Sequence, residues 1–85
     1  MSLYLVERNY GEELRVAKEA VDEIVAVNAS EDVRWLHSFV SADKKRSYCL
    51  MEAPSADAVA QASRRNGLPA DLITEVGELR PELIV

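Results

Sequence analysis

The chain has 85 residues and one cysteine, so it holds no internal disulfide, and a single core of this size is near the lower limit of self-sufficiency. Ten basic against fifteen acidic residues give a net charge of −5, which opposes non-specific binding to nucleic acid. With 48% hydrophobic residues disorder is excluded, no apolar run approaches the roughly 20 residues of a membrane-spanning helix, and a lone Cys suits a reducing, cytoplasmic setting.

Leu3 to Glu7 is rich in aliphatic and aromatic residues and reads as a buried strand. Glu12 to Asn28 reads as a helix. Leu14, Ala17, Val21, Ile24, Val25 and Asn28 recur at the spacing of one apolar stripe, and Glu12 and Glu13 fall in a first turn whose dipole favours negative charge.

After the polar break Ser30-Glu31-Asp32, the segment Val33 to Val40 reads as a strand. It carries the only Trp, His and Phe of the chain, at alternating positions. Successive strand side chains point to opposite faces, which groups Trp35, His37 and Phe39 on one side and Leu36, Ser38 and Val40 on the other. Ser41 to Lys45 is a tight reversal, and Arg46 to Ala53 is the return strand, ended by Pro54. The charges of Lys44-Lys45-Arg46 are then a solvated hairpin tip.

Ser55 is an N-cap for a helix from Ala56 to Arg65, aided by Asp57 and stopped at Asn66-Gly67. Leu72 to Leu79 is a last strand, followed by a loose tail containing Pro81. The order strand, helix, strand, strand, helix, strand predicts one domain over residues 1–85: an α+β, ferredoxin-like βαββαβ sandwich, with a four-stranded antiparallel sheet and two helices on one face.

The hairpin register decides which side chains meet. An even turn puts Tyr48, Leu50 and Glu52 on the side of Trp35, His37 and Phe39, whereas an odd loop would put Cys49 and Met51 there. Asp43-Lys44 favours the even register. The expected open face then carries Trp35, His37, Phe39, Tyr48, Leu50 and Glu52, joined by Tyr4 and Val6 from the first strand. Leu36, Ser38, Val40, Cys49 and Met51 face the helices. Such an apolar face marks a partner or a ligand. One reading is a homodimer in which two sheets cover each other. A second keeps the dimer but leaves a pocket lined by Tyr4, Trp35, His37, Phe39, Tyr48 and Leu50.

His37 is a candidate general acid or base, a metal ligand, or a hydrogen-bonded interface residue. Cys49 has no second Cys and no nearby His at zinc-type spacing, so it reads as a core thiol. Phosphate loops, nucleophile elbows and metalloprotease helices are absent from the sequence. Motifs alone therefore point away from an enzyme.

Four stretches resemble a small bacterial family catalogued as a domain of unknown function (number 4242). They are Val33 to Val40; Tyr48-Cys49-Leu50-Met51-Glu52-Ala53-Pro54-Ser55; Asn66-Gly67-Leu68-Pro69-Ala70-Asp71; and Ile73-Thr74-Glu75-Val76, with the opening Tyr4-Leu5-Val6-Glu7-Arg8 also fitting. The resemblance implies a dimeric ferredoxin-like architecture similar to the α+β-barrel proteins and, through one branch, nickel binding. In that branch a His stands where this chain has Glu7, another where it has Asn66, and Arg replaces His37. With one His in all, no imidazole-rich nickel site forms within one subunit. Glu7, His37 and Glu52 are the residues left for an oxygen-rich metal site. Three functions follow as expectations: a homodimer holding a divalent metal such as nickel, or a small ligand; a cofactor-free oxygenase- or isomerase-type enzyme using His37; and a purely structural dimerisation module.

Overall fold

The computed structural model describes residues 1–83. Four strands and two helices follow one another as β1 (Ser2–Asn9), α1 (Lys18–Ser30), β2 (Arg34–Val40), β3 (Arg46–Ala53), α2 (Ala56–Arg65) and β4 (Leu72–Val76), with a short 3-10 turn at Pro81–Leu83. The sheet is antiparallel in the order β2-β3-β1-β4. This is the ferredoxin-like α+β fold that the element order predicts.

Several boundaries differ from the sequence reading: α1 runs on to Ser30, and β2 begins at Arg34 rather than Val33. β1 is longer than Leu3 to Glu7. β4 stops at Val76 rather than Leu79. The largest difference lies in Glu12 to Ala17, which is not helical. The N–H groups of Tyr10 and Leu14 donate to the carbonyls of Lys45 and Lys44, at 2.8 and 2.7 Å. That ties the segment across the β2–β3 loop instead of letting it coil. Gly11 sits at φ 74°, a left-handed conformation that glycine adopts without strain, and its N–H is taken by Asn9 Oδ1. α1 then starts after an extended Ala17 with no side-chain cap. Glu12 and Glu13 lie outside the helix, and Glu19 occupies its first turn.

α2 follows its sequence signals closely. Ser55 Oγ accepts from the Ala58 N–H at 3.1 Å, as an N-cap does. At the other end Asn66 is the C-cap, Gly67 is left-handed, and the Leu68 N–H reaches back to the Ser63 carbonyl.

The β2–β3 loop spans Ser41 to Lys45 and is clamped by polar groups. The Asp43 carboxylate accepts from Ser41 Oγ (2.7 Å) and from the Lys45 N–H (3.0 Å). These bonds, Ser41 first, hold its carboxyl below its ordinary value. Lys44, Lys45 and Arg46 are exposed there, as expected of a hairpin tip.

The core lies between the sheet and the helices, built from Tyr4, Val6, Cys49, Met51, Ala53, Val33, Val59 and Ala62. α2 contributes three buried residues to that layer, Val59, Ala62 and Ser63. α1 contributes only Asn28, so the first helix is seated far more loosely than the second.

Candidate functional site

The even hairpin register holds from Val40 to His37: Val40 pairs with Ser47, Phe39 with Tyr48, and His37 with Leu50. A bulge at Leu36 then shifts the ladder, so that Trp35 pairs with Met51. Each bulge residue inverts the alternation. Trp35 therefore joins the helix-facing side, where it packs against the core and its indole N–H donates to Ser38 Oγ at 2.7 Å. The placement of Trp35 beside His37 and Phe39 is corrected accordingly.

A second correction concerns β1. Tyr4, Val6 and Arg8 pair with Met51, Cys49 and Ser47 and are buried beneath the helices, while Leu3, Leu5 and Glu7 face the other way. Leu3 to Val6 is apolar at both parities, so alternation gave no choice between the two sides.

The open face thus carries Leu3, Leu5, Glu7 and Asn9 on β1, Arg46, Tyr48, Leu50 and Glu52 on β3, Arg34, His37 and Phe39 on β2, and Leu72, Thr74 and Val76 on β4. Its centre is apolar and its ends are charged, with Phe39 65% and Leu72 53% exposed. His37 meets Phe39 edge to face, with ring centroids 5.4 Å apart. No hydrogen bond orients its imidazole among the described residues.

The candidate metal ligands share this face without converging. Glu52 lies across from Leu3, four residues along β1 from Glu7, a separation of about 13 Å at strand rise. His37 sits one strand further over, opposite Leu50. Among the described residues no three His, Cys, Asp or Glu side chains form a group able to hold a metal ion. A nickel ion does not fit the donors of one subunit.

The structure also contains a cavity that the sequence reading did not foresee. It opens on the helix-facing side, between the sheet, α1 and the segment 10–17, and measures about 250 Å³. Trp35, Met51 and Cys49 form its floor, Leu14, Val21 and Ile24 its roof, and Arg8 and Asn28 its polar end. Of the predicted pocket residues Trp35 lines it. His37, Phe39, Tyr48 and Leu50 stay on the open face, and Tyr4 lies in the core. No sequence signal marks a buried Arg8; only its parity with Val6 on β1 gives it away.

With this geometry in place, comparison with known proteins gives a consistent answer. The fold defines a small ferredoxin-like α+β protein with a bare sheet face. Residues 4–76 match the family model described as "Nickel responsive protein SCO4226-like", and the chain belongs to that family. The crystal structure of SCO4226 from Streptomyces coelicolor A3(2) superposes with a TM-score of 0.79 at 26% identity, covering 93% of this chain and all of the other. No curated protein sequence matches. Among the described residues, no helix is long and apolar enough to cross a membrane.

Proposed function

We propose that the protein is a non-enzymatic binding module that closes its open sheet face on a second copy of itself and holds a metal ion or small ligand there. The observation that carries this reading is the bare apolar face, with Phe39 and Leu72 exposed at opposite edges of the sheet. Four strands of up to eight residues span roughly 19 by 26 Å. Two such faces bury on the order of 1,000 Å², the lower bound for a specific interface.

A second copy suits the face chemically. A two-fold axis along the strands lays β2 of one copy over β4 of the other. That brings His37, on edge strand β2, over β4 of the partner and next to the β1 strand that carries Glu7. The family's description as nickel responsive supports a metal as the ligand. One subunit lacks the donors, so the ion takes them from both, His37 with Glu7 or Glu52.

Equilibrium dialysis against nickel, on protein whose mass is followed by light scattering, tests this. The expected result is a mass of twice 9.5 kDa, two ions per two chains at sites related by the two-fold axis, and loss of the ions in His37→Ala. A dimer that retains no nickel removes the metal. A monomer removes the whole reading.

A further inference from the structure

The cavity lies on the opposite side of the sheet from the proposed dimer face, and two of its polar residues are incompletely matched. Asn28 is 3% exposed, and among the described residues its Nδ2 has no hydrogen-bond partner. Its Oδ1 is already taken by Asn66 Nδ2 at 3.1 Å. A buried N–H without an acceptor is costly, and native proteins rarely leave one so.

Arg8 is the second. It is 4% exposed, and its Nη1 donates to Ser63 Oγ (3.0 Å) and to the Pro69 carbonyl (2.7 Å), both neutral acceptors. Among the described residues no carboxylate pairs with it. Buried charges are ordinarily paired. The partners that hold these two groups, Ser63 and Asn66, are three residues apart at the end of α2, so roughly 5–6 Å separates their Cβ atoms. An unaccepted donor and an uncompensated positive charge therefore stand at one end of the cavity, and the remainder is apolar.

We propose that this cavity binds a small monocarboxylate with an apolar body. The carboxylate accepts from Asn28 Nδ2 and neutralises the Arg8 guanidinium, and the body lies between Trp35 and Met51 below and Val21 and Ile24 above. Size limits the class. An apolar cavity of about 150 Å³ admits benzene, so about 250 Å³ admits roughly ten non-hydrogen atoms. That is a medium-chain fatty acid or a one-ring aromatic acid. Entry is provided for, because the cavity is partly open and α1, its roof, buries only Asn28.

Octanoate is the probe, and Trp35, the only tryptophan, is the reporter. Octanoate should change Trp35 emission saturably, with half-effect below about 1 mM. Octan-1-ol should bind at least about tenfold more weakly, and octylammonium should not saturate. Asn28→Leu should fold and lose at least about tenfold in affinity, since the apolar isostere removes the orphan donor. Val21→Phe, which fills the cavity from α1, should abolish the response, and Phe39→Asp on the other face should leave it unchanged. No saturation by octanoate, equal binding of octan-1-ol, or full affinity in Val21→Phe would each overturn the assignment. Loss in Phe39→Asp would move the ligand to the open sheet face and overturn it likewise.

Discussion

Met51 faces Trp35 across the β2–β3 ladder, and the bulge at Leu36 turns the next aromatic-face residue, His37, to the other side, across from Leu50. One extra residue thus divides the aromatic strand between two sites. Trp35 serves the cavity under the helices, and His37 and Phe39 serve the open face.

The two faces of β3 predict unequal costs for neighbouring truncations. Met51 is 3% exposed in the core, so Met51→Ala should destabilise the fold by about 2 kcal/mol, the low end for such a change because the cavity beside it already relieves packing. For a domain of this size that lowers Tm by about 8–16 °C. Leu50→Ala should cost under about 1 kcal/mol when measured at concentrations low enough to keep the chain monomeric. Thermal unfolding followed by circular dichroism distinguishes the two, and a reversed order would contradict the placement of Met51 in the core and of Leu50 on the open face.

Arg8 and Ser63 should behave as a coupled pair. Arg8→Met strands the Ser63 hydroxyl and the Pro69 carbonyl and should cost about 1–3 kcal/mol. Adding Ser63→Ala should recover about 1 kcal/mol of that loss, because the stranded hydroxyl disappears with it. Additive losses in urea unfolding would show that the 3.0 Å contact carries no energy.

Asp43 gives the hairpin a defined acid sensitivity. Its folded carboxyl titrates below its ordinary value, chiefly through the Ser41 hydroxyl and then the Lys45 N–H. A depressed folded value means that the stabilisation is complete above the ordinary carboxylate range and disappears as pH falls through the folded value. Wild type should therefore melt above Asp43→Asn at pH 7, and the two melting curves should converge toward pH ~2. A gap that is unchanged across this range would show that the charge is irrelevant to the loop.

Much of this architecture was legible in the residues. Ser55, Asn66-Gly67 and Pro54 carry their own backbone chemistry, so α2 and the end of β3 follow from local rules. The even register of the hairpin also followed from its turn. Long-range partners were not legible. Glu12 to Ala17 leaves the helix because the Lys44 and Lys45 carbonyls capture its N–H groups, although Leu14 still points inward with the stripe that suggested a helix. A bulge tolerates any residue type, and Leu36 carries no mark of one. The face of β1 was ambiguous because Leu3, Tyr4, Leu5 and Val6 are all apolar. The site was read on one side of the sheet, while the cavity and its buried Arg8 lie on the other.

The central claim is that a second copy covers the open sheet face, and sedimentation equilibrium of wild type beside Phe39→Asp tests it most directly. Phe39 is 65% exposed and packs on no core, so the substitution leaves the subunit folded. Wild type should sediment at twice 9.5 kDa, and the variant at 9.5 kDa with unchanged circular dichroism. Wild type at 9.5 kDa across the micromolar range, or a variant that still pairs as tightly, would contradict the account.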